Sequence, residues 1–177
     1  MPNTLKFRQC LKHILAFEGG NDDDPRDPGG RTGQGITQSE YTKWLAEKGK
    51  PNRDVWDMPD RDRDAIYLEK YWDITGLDRF PLPIAFLMFD TSVLNGVSYA
   101  RKLAQRVVGV RQDGLIGPIS TAALNAVDKE TFINRFQELR REYLKTRKAW
   151  PTYGPGWYNR MTKVEKIAAQ MIRLSSR

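Results

Sequence analysis

Residues 4–18 place Phe7, Leu11, Ile14 and Leu15 three or four apart, the spacing that gathers apolar side chains on one face of a helix. Thr4 can cap its start and Gly19-Gly20 can stop it, so the pattern predicts a helix that delivers Glu18 in its last turn. Over residues 20–35 the periodicity breaks into glycines, two prolines and four aspartates, which predicts a loop or a small hairpin. Thr37-Gln-Ser-Glu40 is a capping box that opens a helix running to Lys48 before Gly49. Asp60, after Pro59, opens a third helix bearing Ile66, Tyr67, Tyr71 and Trp72. Pro83 starts a fourth, and Ile84, Phe86, Leu87, Phe89, Val93 and Leu94 make it apolar nearly all round until Gly96, as a buried central helix should be. Helices over 98–108, 118–127, 128–148 and 156–174 complete the pattern. The expectation is a mainly α fold with a small β-hairpin, in two closely packed helical lobes.

The chain's 177 residues are one domain's worth, with room for two lobes sharing a core. Five Trp, seven Tyr and seven Phe supply large side chains to bury, which sets the chain apart from a disordered one. Cys10 and His13 are each the sole residue of their type, which excludes a disulfide scaffold, a cysteine zinc site and a multi-histidine centre. No cofactor or metal is expected. No apolar run approaches the ~18 residues of a membrane span, and Lys6, Arg8 and Lys12 interrupt any signal-peptide core. The protein is therefore expected to be made in the cytoplasm, with any export following another route.

Charge divides the chain. Residues 1–95 carry 13 Lys+Arg against 16 Asp+Glu, whereas residues 96–177 carry 16 against 6, within a total of +7. A cationic half seeks a polyanion: nucleic acid, anionic membrane or cell-wall polymer. Arg140, Arg141, Lys145, Arg147 and Lys148 recur along one helix, and Trp150, Tyr153, Trp157 and Tyr158 follow. They suit sugar stacking beside cations, and equally suit solvated helix faces over an aromatic core. No helix-turn-helix, zinc-finger or RNA-binding pattern is legible, so no nucleic-acid partner is expected.

The segment 18–37 carries the chemistry. It sets Glu18 at a helix end, Asp27 nine residues on across a glycine-rich loop, and Thr32 five further. A helix C-terminus bears roughly half a negative charge, which favours the protonated form of a carboxyl placed there. Asp27, in a loop with free backbone N–H groups, more easily stays ionised. Two carboxyls in unlike environments suit cleavage of a glycosidic bond, one as proton donor and the other as stabiliser or base. A plain solvated acidic loop has the same composition. Neither register of residues 21–27 reproduces an EF-hand.

The run EGGNDDDPRDPGGRTGQGIT resembles the signature of the glycoside hydrolase 108 family of N-acetylmuramidases. Tyr71-Trp72-Asp73, Phe89-Asp90 and Gly96 also look like that family's catalytic lobe, and Gln112-Asp-Gly-Leu-Ile-Gly-Pro118 with Trp150-Pro-Thr-Tyr-Gly-Pro-Gly-Trp157 looks like its C-terminal peptidoglycan-binding module. The resemblance implies a lysozyme-like fold and a phage-endolysin-like hydrolase of the β-1,4 bond between N-acetylmuramic acid and N-acetylglucosamine. It implies Glu18 as the acid, Asp27 and Thr32 around the attacking water, and Asn95, Tyr153 and Trp157 as substrate-binding residues. Two departures stand out: Asn21 replaces a common aromatic, and Asn95 is displaced toward Gly96. The division expected is a catalytic lobe over 1–95 and a basic wall-binding lobe over 96–177. Peptidoglycan is the expected partner of a monomer, with outer-membrane lipopolysaccharide a second anionic candidate. A lytic transglycosylase using the same Glu, or a non-catalytic wall or nucleic-acid binding protein, are the rival readings.

Overall fold

The computed structural model describes residues 5–18, 20 and 30–175. Among them are eight α-helices and one two-stranded antiparallel sheet, the mainly α architecture that the periodicity predicts. Contacts group the chain into two compact units, 1–70 and 71–177.

In the first unit, α1 (Leu5–Leu15) buries Phe7, Cys10, Leu11 and Ile14, a single apolar stripe. The hairpin follows, with β1 (Thr32–Gly33) and β2 (Ile36–Thr37) pairing Thr32 with Thr37 and Gly33 with Ile36. Thr37 caps α2 (Gln38–Glu47), its side chain accepting from the Glu40 N–H, as the capping box predicts. Gly49, at φ 65, follows the helix in the left-handed conformation that glycine adopts freely. After a 3-10 turn at Val55–Asp57, α3 (Asp60–Tyr67) starts behind Pro59. A buried hydrogen bond from the Tyr41 hydroxyl to Asp62 Oδ2, 3.0 Å, joins α2 to α3. Trp44 Nε1 donates to Glu69 Oε2 at 3.0 Å.

Tyr71 and Trp72 do not lie on α3, contrary to the sequence pattern. Residues Leu68–Asp73 form a π-helical stretch, a wider turn that adds a residue and re-aims the side chains. Trp72 is fully buried and meets the Phe89 ring edge-on, centroids 5.3 Å apart. Packing of this indole overrides the simple 3.6-residue period.

In the second unit, α4 (Leu82–Asn95) is the buried central helix, with all of residues 83–92 buried. Gly96, at φ 92, ends it and leads into α5 (Val97–Val107). Next come α6 (Pro118–Ala126), α7 (Lys129–Lys145), capped by Asp128, and α8 (Trp150–Ser175). Helix α4 packs against α5, α7 and α8. The loop before α6 is organised by buried Gln105, whose Nε2 donates to Asp113 Oδ1, the Leu115 carbonyl and Ser120 Oγ while its Oε1 accepts from the Gly114 N–H.

Two boundaries differ from expectation. Helix α7 stops at Lys145, and α8 begins at Trp150 although the glycines and prolines of 151–156 predict a loop. Pro151 falls in the first turn, where its missing N–H costs nothing. Gly154 leaves room for the Trp150 ring: a Cβ there would stand 2.8 Å from the indole. The aromatic ring thus covers the weak first turns of the helix, and Pro155 is tolerated inside it.

Candidate active site

Helix α1 ends at Leu15, three residues before Glu18, yet its hydrogen bonding reaches further. The Ile14 carbonyl accepts from the N–H groups of Phe17 at 2.9 Å and Glu18 at 3.1 Å. Glu18 therefore leaves the C-terminal end of the helix from a fixed point, and its side chain is half-buried. It reaches the turn of the hairpin. A Cβ built on Gly35 would stand 2.8 Å from Glu18 Oε2 and 2.5 Å from the Tyr67 hydroxyl oxygen. Gly35 also has φ +81, so both space and backbone angle demand glycine here.

The turn itself is pinned from α3. The Tyr67 hydroxyl donates to the Gln34 carbonyl at 3.0 Å, and Arg63 Nη1 donates to Gln34 Oε1 at 2.5 Å. These bonds hold Gln34 at φ 52, a left-handed conformation that costs a non-glycine residue free energy. Gly33 is pressed as closely onto the 3-10 turn, since a Cβ there would stand 2.8 Å from the Val55 carbonyl oxygen. Trp56, on that turn, donates from Nε1 to the Thr32 carbonyl at 3.1 Å and carries the Arg31 guanidinium over its ring at 3.6 Å. Asp54 pairs with Arg31 at 2.8 Å.

Thr32 therefore lies on the strand whose turn touches Glu18. It is half-buried, and its Oγ1 donates to the Gly30 carbonyl at 3.1 Å. Asp27 and Asn21 lie outside the described residues. Chemically, the assembly is a carboxyl just past a helix end, closed in by a strained turn and a tyrosine hydroxyl.

The three residues expected to bind sugar fall together in the second unit. A groove of about 630 Å³ runs between the ends of α4 and α7 and the start of α8, and Asn95 and Trp157 both line it. Tyr153 does not line it but stacks on Trp157, centroids 6.0 Å apart and planes at 27°. Trp150 meets Trp157 from a further side at 6.3 Å.

Sequence reasoning missed how α4 is tied to α7 and α8. Asp90, fully buried, accepts from Arg140 Nη1 at 2.6 Å and Arg160 Nε at 2.8 Å, and Arg140 Nε donates to Asn95 Oδ1 at 3.1 Å. Burial opposes ionisation of Asp90, but the two guanidiniums outweigh it and hold the carboxyl below the usual aspartate range. Arg140 is fully buried, which removes it from the solvated cationic face to which its spacing assigns it. The one signal in the sequence was an aspartate inside an otherwise apolar helix, since a buried charge requires a partner.

Comparison with known proteins supplies the family. The profile of the family described as Glycosyl hydrolase 108 matches residues 11–96. The solved structure of Brucella abortus SagA is 32% identical with a TM-score of 0.82, covering 93% of this chain and 94% of that one. No curated protein matches the chain. The chain belongs to the glycosyl hydrolase 108 family, and its fold is the mainly α, lysozyme-like one. Membership places it among the glycoside hydrolases and indicates peptidoglycan as its class of substrate.

Proposed function

We propose that the protein is an N-acetylmuramidase that hydrolyses the β-1,4 bond between N-acetylmuramic acid and N-acetylglucosamine, with Glu18 as the general acid. The observation that carries this reading is the position of the Glu18 carboxyl, at the end of α1 and against the Gly35 turn, in a chain of a glycoside hydrolase family. Glu18 protonates the leaving glycosidic oxygen as the ring carbon gains cationic character. Asp27 and Thr32 are assigned to the attacking water. Asn95, Tyr153 and Trp157 hold glycan in the second unit, with wall binding assigned to residues 96–177 and catalysis to residues 1–95. The protein acts as a monomer on peptidoglycan after release from the cytoplasm, as an endolysin or a secretion-associated muramidase.

Zymography on purified peptidoglycan tests the acid. Glu18→Gln keeps the shape and removes the proton, so lysis should fall by at least about 100-fold. Lysis by Glu18→Gln at the wild-type rate would remove Glu18 from the mechanism, and unchanged activity of Asp27→Asn would return Asp27 to a structural role. Mass spectrometry of the products separates hydrolysis from transglycosylation: reducing muramic ends are expected, and 1,6-anhydro ends would mean a lytic transglycosylase.

A further inference from the structure

The groove between α4, α7 and α8 has one chemical sign. Its polar side chains include Asn95, Thr146, Arg147 and Lys148, and among the described residues no Asp or Glu lines it. Arg147 and Lys148 are exposed, and neither pairs with a carboxylate among the described residues. Thr146 spends its hydroxyl proton on the Tyr143 carbonyl at 2.7 Å. Asn95 is turned by its neighbour: a guanidinium only donates, so Arg140 Nε takes the Asn95 oxygen and leaves the Nδ2 hydrogens for the groove. Arg140 stands immediately behind, fully buried, with no hydrogen-bond partner for Nη2 and with its carboxylate, Asp90, shared with Arg160. A buried guanidinium one hydrogen bond behind an amide polarises that amide as a donor. Trp157, half-buried and braced by Tyr153 and Trp150, supplies an aromatic wall.

We infer that this groove selects sugars carrying an anionic substituent, a carboxylate or phosphate, over neutral glycans of the same backbone. The ring lies on Trp157, the acidic group meets Arg147 and Lys148, and the Asn95 amide donates to it or to a neighbouring oxygen. The inference rests on the groove being a glycan site. It specifies that site further: a neutral β-1,4-linked N-acetylglucosamine chain should bind poorly, and the discriminating feature of a wall glycan is its lactyl carboxylate. Phosphorylated envelope sugars offer the same chemistry, and the ligand series below tells the two apart.

The test uses full-length Glu18→Gln protein, titrated by tryptophan fluorescence and calorimetry. The ligands are a tetrasaccharide of alternating N-acetylglucosamine and N-acetylmuramic acid, chitotetraose, and chitotetraose bearing a phosphate ester. At low salt an anionic ligand should bind about ten-fold or more tighter than chitotetraose, and salt should shrink that margin. The tighter of the two anionic ligands identifies the source. Arg147→Ala with Lys148→Ala should erase the margin, bringing the anionic ligands down to the affinity of chitotetraose, and Trp157→Ala should weaken all three. Equal affinity for charged and neutral ligands would overturn the inference, as would a margin that survives the double alanine variant. Failure of the Glu18 assignment shows separately, as wall lysis by Glu18→Gln, and leaves the titration readable.

Discussion

The two units hold their geometry by different means. Residues 1–70 are nearly balanced in charge, 12 Lys+Arg against 13 Asp+Glu, and their ion pairs run across the surface: Lys48 with Glu69, Lys70 with Glu40, Arg31 with Asp54. What fixes Glu18 there is backbone proximity, two glycines without room for a Cβ and a strained Gln34 held from α3. Residues 71–177 carry 17 basic residues against 9 acidic, and their order comes from a helix buried on all sides and clasped by ions at Asp90. Small shifts in the first unit should cost activity. In the second, loss of one charge should cost stability.

The sharpest way to break this contrast is Asp90→Leu, which takes the shared carboxylate from two guanidiniums inside the core. Such a change should cost about 3–5 kcal/mol in urea unfolding; a loss below about 1 kcal/mol would make the ion cluster peripheral to the second unit. Gly35→Ala is the matching experiment in the first unit. Its methyl group would collide with the Tyr67 hydroxyl and Glu18 Oε2, displacing the carboxyl by a fraction of an ångström or more. Wall lysis should drop by about 100-fold with most of the stability retained. Smaller in effect is salt: with a screening length of about 8 Å at physiological ionic strength, lysis of intact wall should weaken as salt rises, while cleavage of short soluble oligosaccharides should not. Equal salt sensitivity of the two substrates would show that the cationic unit does not hold the enzyme on its polymer.

Most of the fold was legible because its signals are local. The capping box at Thr37, Pro83 in the first turn of the apolar helix and the glycines at 49 and 96 each act within a few residues, and each stands where the pattern predicts. Glu18 was legible as a carboxyl at a helix end beside a glycine-rich run. What escaped depends on contacts distant in sequence: the π turn that buries Trp72 against Phe89, the Trp150 ring that makes helix of a glycine-proline stretch, and the 50-residue separation between Asp90 and Arg140. Periodicity marks Arg140 as one cation in a stripe. Only tertiary structure separates it from Arg147, seven residues on, which reaches solvent.

The mildest prediction concerns Asp62, the one carboxylate among the described residues of the first unit that is largely buried. Burial works against its ionisation, but hydrogen bonds from Lys50, at 2.8 Å, and from the Tyr41 hydroxyl outweigh that and hold the carboxyl below its ordinary range. The same contact works on Tyr41 in the other direction: burial first, then the bond to Asp62, pushes its hydroxyl up to about 12. An aspartate held low in the folded state binds fewer protons there than in the unfolded chain. Its contribution to stability is therefore complete above the unfolded value near 4 and disappears as pH falls through the lower folded value. Asp62→Asn retains an oxygen for Tyr41 and loses the charge facing Lys50. Because the Lys50 ammonium is part-exposed and water screens it, the loss at pH 7 should be about 1 kcal/mol or less. Urea unfolding of wild type and Asp62→Asn at pH 7 and at pH 3 measures it. The gap should narrow at the lower pH, and a gap that stays constant would mean that Asp62 holds α2 to α3 by shape and hydrogen bonding rather than by charge.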